Sequence, residues 1–189
     1  MSHQPTSDVF LRPGEVLDGK YEILAKIGQG GMGIVYKARA RALDRNVAIK
    51  LLNHVDADTL RRFRREAQSL AQINHPAVVR IDDFGDAGPA GPYLVLAYVA
   101  GKDLDLVAEG TLSIPDAVDL ALAIASGISA CHRRGIIHRD LKPSNIRVTN
   151  ETSWQSRVKI LDFGLALPFD SPILQAHQTR ITNTGSVPG

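Results

Sequence analysis

The feature that most constrains the fold of this chain is a cluster of four glycines followed directly by an alternating apolar run. It reads GQGGMGIVYKA and spans residues 28–38. Gly28, Gly30 and Gly33 fit the spacing G-x-G-x-x-G, and a backbone without Cβ atoms can approach phosphate oxygens closely. The dinucleotide-binding form of this motif needs a helix after the glycines, whereas the alternation here predicts a strand. The glycines alone leave two interpretations open, a phosphate-binding loop or a glycine-rich hairpin turn.

Hydrophobic periodicity predicts a sheet in the first half of the chain and helix in the second. Five strands are predicted, at 21–28, 34–40 and 46–52 and within VVRIDDFGD and PYLVLAYVA. Apolar residues at steps of three and four predict one amphipathic helix from an N-cap at Asp58 to about Ile73. A longer helix is predicted from an N-cap at Ser113 to about Arg134, followed by short strands around IRV and VKIL.

Composition excludes several classes of protein. The 22 basic and 20 acidic side chains nearly cancel, so no charge imbalance points to a nucleic-acid partner or a membrane surface. The single cysteine, Cys131, excludes an internal disulfide and favours a reducing compartment. No run of 18 apolar residues occurs, and the start MSHQPTSDVF does not have the composition of a signal peptide. We therefore expect no nucleic acid as partner, no membrane segment in this chain, and a cytoplasmic location.

Lys50 and Glu66 each place a charge in apolar surroundings. Lys50 ends the apolar run VAIK, and Glu66 lies on the apolar side of the first helix, near Phe63 and Leu70. A buried charge is costly without a partner, so an ion pair between the two would satisfy both and fix Lys50 where it could hold a phosphate. The alternative is that each side chain reaches solvent separately.

Two further stretches, IIHRDLKPSN and ILDFGLA, bring together carboxylates, an amide and a lysine. Asp140 and Asn145 are five residues apart with Lys142 between them, and Asp162 ends an apolar strand. Oxygen ligands suit Mg²⁺, a lysine suits a γ-phosphate, and a carboxylate can accept the proton of an incoming hydroxyl. Each residue alone is also typical of a turn, but their order along one chain makes chance a poor explanation.

These motifs, in this order, resemble the motif set of protein kinases. The chain is similar to the eukaryotic-like Ser/Thr protein kinases of bacteria over about residues 21–189. The resemblance implies an α+β, bilobal protein-kinase-like fold, with a complete N-lobe of five antiparallel strands plus one helix and a partial, mainly helical C-lobe. The implied divisions are a polar leader at 1–16, the N-lobe at 17–101 and the partial C-lobe at 102–189, ending in the activation segment.

The resemblance also implies roles for individual residues. Asp140 would be the catalytic base, Lys142 would neutralise the γ-phosphate, and Asn145 and Asp162 would hold Mg²⁺. The implied cofactors are ATP and Mg²⁺. Nucleotide contacts are implied for Ile27, Gly28, Gln29, Gly30, Gly31, Met32, Gly33, Ile34, Val35, Ala48, Lys50, Glu66, Leu96, Ala97, Tyr98 and Val99.

Regulation and partners are implied in the same way. Arg139 would pair with a phosphate in the activation segment, for which Thr182 and Thr184 are the candidate acceptors. The expected partners are protein substrates with serine or threonine acceptors, and a kinase–kinase dimer is one route to autophosphorylation. The residues Leu70, Ile81, His138 and Phe163 match the apolar stack that marks the active state of the family.

Two features depart from the family pattern. Arg147 stands where many kinases place an apolar residue under the adenine, and we expect its alkyl stem to cover the ring while the guanidinium reaches water. The chain also ends within the activation segment, so we expect an exposed apolar face on the long helix around residues 120–128. The isolated chain is therefore expected to be marginally stable and weakly active.

Features of this sequence argue against three alternatives to an active protein kinase. A pseudokinase or nucleotide-binding scaffold usually lacks one of the positions Lys50, Asp140, Asn145 and Asp162, all of which are present here. A small-molecule kinase of the same fold usually lacks the combination of DLKPSN, DFG and the threonines that follow. A purely structural protein would leave Lys50 and Asp162 without a purpose in apolar surroundings.

Overall fold

The computed structural model describes residues 10–30, 33–52, 56–108 and 112–163. Its larger sheet has six antiparallel strands in the order β1-β2-β3-β4-β6-β5. The strands are β1 (Val16–Leu17), β2 (Tyr21–Gly30), β3 (Gly33–Ala40), β4 (Arg45–Leu52), β5 (Ile81–Asp86) and β6 (Pro92–Ala97). The five predicted strands are confirmed as β2–β6, but the count of five was too low.

The additional strand β1 is short and depends on contacts distant in sequence. It pairs antiparallel with the start of β2, with Leu17 opposite Tyr21. The turn between them places Asp18 at φ 50°, and the Asp18 carboxylate accepts a 2.7 Å hydrogen bond from the Tyr93 hydroxyl of β6. The predicted domain boundary at residue 17 falls within this strand.

Side chains alternate along each strand, so one face of the larger sheet packs into a hydrophobic core and the other faces the candidate site. On β3 and β4, Tyr36 and Ile49 point into a core that also contains Ile23 and Val95. The alternate residues of the same strands point to the other face, which is where the candidate site lies. The period-two pattern that predicts the strands therefore also determines which residues can reach that site.

Helix α1 (Ala57–Ala71) packs its apolar stripe against the sheet. Its N-cap is Asp56, whose carboxylate accepts hydrogen bonds from the backbone N–H groups of Asp58 and Thr59 at 2.9 and 2.8 Å. The predicted N-cap, Asp58, is wrong by two residues and instead lies in the first turn, where a negative charge also favours the helix. The buried residues of the helix are Phe63, Ala67 and Leu70.

The second part of the structure contains a small sheet and three helices. The sheet has the order β7-β8-β9, formed by Lys102–Asp103, Ile146–Val148 and Val158–Ile160. The helices are α2 (Leu104–Ala108), α3 (Ile114–His132) and α4 (Trp154–Arg157). The N-cap predicted for α3 at Ser113 is confirmed, because the Ser113 hydroxyl accepts from the Asp116 N–H at 3.2 Å.

The loop between α1 and β5 joins the two parts of the structure. Ile160 of β9 donates its N–H to Ala77 at 2.8 Å and accepts from the Val79 N–H at 3.0 Å. Helix α3 packs closely beneath this contact at Gly127, where a Cβ atom would lie 2.7 Å from Ile160 Cδ1. The loop is therefore bonded directly to the strand that precedes Asp162.

The exposed apolar face of α3 agrees with the expected one only in part. Within the expected range 120–128, Leu122 is 58% exposed, but Leu120 is buried and Ile124 and Ile128 pack against the core. The other exposed apolar residues lie nearer the helix start, with Ile114 82% and Val118 52% exposed. Among the described residues, α3 is also the one helix long and apolar enough to cross a membrane by length and composition, a test that core helices also pass.

Candidate active site

A cavity of about 210 Å³ lies between the two sheets. It collects many of the residues to which the sequence assigns nucleotide or metal contacts. These are Ile27, Gly28, Val35, Ala48, Leu96, Ala97, Tyr98, Val99, Asn145 and Asp162. Arg147, expected under the adenine, also lines it, and the lining residues not predicted from the sequence are Val79, Ser144 and Leu161.

The glycine-rich stretch forms the ends of strands β2 and β3. Gly28 lies opposite Val35 and Gly30 opposite Gly33 in the antiparallel register. Gly33 has φ +146°, and a Cβ atom there would lie 2.0 Å from the Leu51 carbonyl oxygen. Only glycine fits this position, because both the backbone conformation and the close approach exclude a side chain.

Some predicted contacts of this stretch are not in the cavity. Ile34 is buried in the core on the opposite face of the sheet, because it alternates with Gly33 and Val35 along β3. Gly31 and Met32 lie outside the described residues. The glycine-rich stretch thus contributes Gly28 and Val35 to the cavity lining, with Gly33 permitting close strand packing.

The predicted ion pair between Lys50 and Glu66 is not formed in this structure. The Lys50 ammonium, which is buried, donates to Asp162 Oδ1 at 2.7 Å. Glu66 faces Arg139 instead, with Oε1 3.5 Å from the guanidinium. The burial cost of the Lys50 charge is met by the second carboxylate within its reach, which the local sequence does not reveal.

Glu66 is partly buried, and the nearby Arg139 offsets only part of the cost of burying its charge. Burial raises the pKa of its carboxyl above the ordinary value, and the nearby Arg139 guanidinium offsets only part of that effect. The ionised form is therefore less favoured here than in water. A conformation in which Glu66 reaches the Lys50 ammonium would relieve that penalty.

The predicted apolar stack is assembled even though the Lys50–Glu66 pair is absent. Leu70, Ile81 and Phe163 line one small cavity of about 20 Å³ behind Leu96. The His138 and Phe163 rings lie with their centroids 4.6 Å apart. The apolar stack is thus formed in this structure while Lys50 is paired with Asp162 and not with Glu66.

Asp140, Lys142 and Asn145 form one hydrogen-bonded group. The Lys142 ammonium lies 2.8 Å from Asp140 Oδ2, and the Asn145 amide donates to the Asp140 carbonyl at 2.7 Å and to its Oδ2 at 3.0 Å. Burial raises the pKa of Asp140, but the hydrogen bonds from Lys142 and Asn145 outweigh it and hold the pKa below the ordinary value. Asp140 is therefore an ionised, oriented carboxylate at neutral pH.

His138 is buried near this group and contacts the backbone that precedes Asp162. Its Nε2 lies 2.8 Å from the Leu161 carbonyl oxygen, to which it donates in the neutral ring. Burial lowers its pKa, and the hydrogen bond to Leu161 offsets part of that effect. His138 therefore helps to fix the position of the backbone just before Asp162.

Arg147 lies in the cavity wall, but its guanidinium does not simply reach water as expected. Its Nε and Nη2 both donate to Asp103 Oδ1, at 3.0 and 2.6 Å. Asp103 is not evident as a partner from the sequence, because its separation of 44 residues from Arg147 leaves no local signal. The register of β7 and β8, which places the two residues opposite each other, creates the contact.

The side-chain oxygen atoms that line the cavity are suitable ligands for Mg²⁺ bound to phosphate. Among the residues that the structure describes, no cluster of three or more His, Cys, Asp and Glu side chains could hold a metal alone. Asn145 and Asp162 line the same cavity and supply side-chain oxygens. Mg²⁺ usually takes one or two carboxylates and completes its shell with water and phosphate oxygens, which fits this set. Thr182 and Thr184, the predicted regulatory sites, lie outside the described residues.

The chain is similar to proteins of one family along most of its length. The family model described as protein kinase domain matches residues 21–184. A probable serine/threonine-protein kinase of Clostridium perfringens, CPE1738, is 40% identical over 181 residues, covering 93% of this chain and 25% of that protein. The serine/threonine-protein kinase PrkC of Bacillus subtilis is also 40% identical, over 93% of this chain and 26% of its own length.

The similarity extends to solved structures. The crystal structure of the PknI kinase domain of Mycobacterium tuberculosis matches with a TM-score of 0.71 and 27% identity, over 89% of this chain and 68% of that one. The chain spans about a quarter of the length of the curated relatives named above. The family match over residues 21–184 and the geometry of the cavity agree, and the chain belongs to the protein kinase family.

Proposed function

We propose that this chain carries the nucleotide-binding and catalytic residues of an ATP-dependent kinase that phosphorylates serine or threonine on protein substrates. The observation that carries the proposal is the position of Asp140. Its ionised carboxylate is held by Lys142 and Asn145, and Asn145 lines the same cavity as Asp162. The proposed base and its lysine are therefore hydrogen-bonded to Asn145, one of the two proposed oxygen ligands that line the cavity.

The proposed chemistry follows from this arrangement. The Asp140 carboxylate accepts the hydrogen bond of a serine or threonine hydroxyl and takes its proton as the oxygen attacks the γ-phosphorus. The new O–P bond forms as the bond between the γ-phosphorus and the bridging oxygen breaks, and ADP leaves. Lys142, 2.8 Å from Asp140, is close enough to balance the charge of the transferred phosphoryl group.

Asn145 and Asp162 would hold Mg²⁺ bound to the nucleotide phosphates. When bound, Mg²⁺ neutralises phosphate charge and aligns the γ-phosphate for transfer. In this structure the Lys50 ammonium donates to one of these proposed ligands, Asp162, at 2.7 Å. Ala48 and Leu96, which lie opposite each other on β4 and β6, line the part of the cavity proposed for the adenine.

The catalytic arrangement that we propose requires one change from this structure. Lys50 would exchange Asp162 for Glu66, which frees the Asp162 carboxylate for the metal. Glu66 would leave Arg139, and Arg139 would then pair with a phosphate in the activation segment. We propose Thr182 or Thr184 as the phosphate acceptor, reached from a second kinase molecule, and alanine at both positions should lower activity.

The experiment that tests the proposed function compares two quantities in the natural full-length protein. Asp140→Asn preserves side-chain shape but removes the base, so phosphate transfer should fall by about 10²–10⁴-fold while ATP affinity stays within about twofold. A pseudokinase or scaffold would bind ATP equally in both proteins and transfer no phosphate in either. Equal transfer rates in the two proteins would exclude Asp140 as the base.

A further inference from the structure

The wall of the proposed nucleotide cavity contains a cation, Arg147, together with aliphatic side chains and the polar residues Ser144, Asn145 and Asp162. Val35 and Ala48 reach the cavity from the larger sheet, and Arg147 reaches it from β8 of the small sheet. The two sheets lie on different sides of the space, so a flat base bound there would contact aliphatic side chains on one face and Arg147 on the other. The contribution of Arg147 to binding of the base therefore depends on how its guanidinium is positioned.

Asp103 restrains the guanidinium through two of its nitrogens. Nε and Nη2 donate to the same carboxylate oxygen, at 3.0 and 2.6 Å. Both side chains are partly buried, at 25% and 30% exposure, so the ion pair is shielded from much of the solvent. A side chain held by two hydrogen bonds loses less conformational freedom when a ligand binds than a free arginine does.

The alkyl stem of Arg147 is also held in place. A Cβ atom at Gly101 would lie 3.2 Å from Arg147 Cγ and 2.3 Å from the Val148 carbonyl oxygen. Gly101 therefore allows the stem and the backbone of β8 to approach the segment between β6 and β7 closely. Together, Gly101 and Asp103 fix both the stem and the head of Arg147 at the cavity.

We propose that Arg147 is a specificity-determining residue of the nucleotide cavity, whose guanidinium stacks on the base and favours electron-rich purine rings. A guanidinium is planar and weakly hydrated, and it is attracted to the π-face of an aromatic ring in proportion to the electron density of that ring. An aliphatic residue at the same place would cover the ring without this preference. The inference rests on the proposed function, since it assumes that the cavity binds a purine nucleotide.

The competing explanation is that Arg147 only ties β7 to β8. The two strands are short, and the Asp103–Arg147 pair joins them at directly opposite positions. In that case Arg147 would affect the stability of the small sheet and leave the preference among ligands unchanged. The two explanations differ in what happens to the ratio of affinities for two rings of different electron density.

The test measures binding of nucleosides, so it requires no phosphate transfer. Adenosine, 2-aminoadenosine and 2-fluoroadenosine share the same hydrogen-bonding edge at N1 and the 6-amino group but differ in the electron density of the ring. Affinities are measured by calorimetry for the wild type, Arg147→Leu and Arg147→Gln. Arg157→Leu, which removes an arginine stacked on Trp154 away from the cavity, is the matched control.

We expect adenosine to bind Arg147→Leu about fivefold more weakly than the wild type. The preference for 2-aminoadenosine over 2-fluoroadenosine should fall by about threefold in the same variant, and Arg157→Leu should match the wild type. If Arg147→Leu does not fold, Arg147→Gln, planar and neutral, should show the same reduced preference. An unchanged ratio in a folded variant overturns this inference and leaves the proposed function standing, whereas no nucleoside binding to the wild type overturns both.

Discussion

The Lys50 ammonium donates to the Asp162 carboxylate across 2.7 Å, although 112 residues separate the two in sequence. This contact joins strand β4 of the larger sheet to a residue two positions after the end of β9 of the small sheet. Glu66 faces Arg139 instead, at 3.5 Å. The exchange of partners proposed above would open both of these ion pairs.

The first prediction separates the role of Glu66 in stability from its role in activity. Glu66→Gln keeps the shape of the side chain and removes a charge that burial disfavours in this arrangement. The free energy of unfolding should therefore change by less than about 1 kcal/mol, because a partly exposed ion pair is worth little. Phosphate transfer by the full-length protein should nevertheless fall by at least about tenfold, since the pair with Lys50 cannot form.

Glu66→Asp is the matched control for charge, because it keeps the carboxylate and shortens its reach. Urea unfolding and a phosphate-transfer assay on the same three proteins measure the two effects. Full transfer activity in Glu66→Gln would show that Lys50 does not need Glu66, and the proposed exchange of partners would then be wrong.

The second prediction concerns the glycine-rich stretch. Gly33→Ala places a Cβ atom against the Leu51 carbonyl in a backbone conformation that side chains rarely adopt, and we expect a loss of about 2–3 kcal/mol. Gly30→Ala is the control, because a Cβ there meets nothing within 4 Å. It should cost less than about 1 kcal/mol. Equal losses on urea unfolding would contradict the packing described for β3 and β4.

The third prediction concerns the contact between α4 and α3. Trp154 is 7% exposed, and its indole N–H donates to Asp116 Oδ1 at 2.9 Å. Trp154→Phe should cost about 1 kcal/mol for the lost hydrogen bond, and Trp154→Ala about 3–5 kcal/mol. Far-ultraviolet circular dichroism is the suitable probe, because Trp154 is the only tryptophan of the chain. A cost below 1 kcal/mol for Trp154→Ala would show that α4 does not stabilise α3.

The fourth prediction is a dependence of stability on pH. Burial lowers the pKa of His138 below its ordinary value of 6.5, so the unfolded chain binds a proton more readily than the folded one does. The contribution of His138 to the free energy of unfolding is therefore fully present above pH 6.5 and is lost as the pH falls toward the folded-state pKa. Unfolding free energies measured at pH 7.5, 6.5 and 5.5 should decrease in that order.

His138→Phe should flatten that decrease, because the ring that takes up the proton is removed while the stacking on Phe163 is retained. His75, whose pKa is also lowered by burial, accounts for part of the remaining slope. A slope in His138→Phe equal to that of the wild type would mean that His138 titrates normally in the folded protein.

The sequence predicts the elements that have a strong local pattern. Strands β2–β6 and helices α1 and α3 follow from apolar residues at period two or at steps of three and four. Strand β1 has two residues and α4 has four, so neither is long enough to show a period. Their formation depends instead on distant partners, such as Tyr93 for the β1 turn and Asp116 for Trp154.

In the candidate site too, contacts between residues close in sequence are predictable, and contacts between distant residues are not. Asp140, Lys142 and Asn145 are close in sequence, and the structure brings them together as one hydrogen-bonded group. Lys50 has two carboxylates that it could pair with, and no local feature of the sequence decides between Glu66 and Asp162. In this structure the partner is Asp162, which lies 112 residues from Lys50 in sequence.

The catalytic site that we propose for this chain is tested by transfer of radioactive γ-phosphate from ATP by the full-length protein in the presence of Mg²⁺, followed by identification of the phosphorylated amino acid. We expect phosphoserine or phosphothreonine with the wild type and a rate at least about 10²-fold lower with Asp162→Asn. No transfer by the wild type, or an equal rate in the variant, would contradict it.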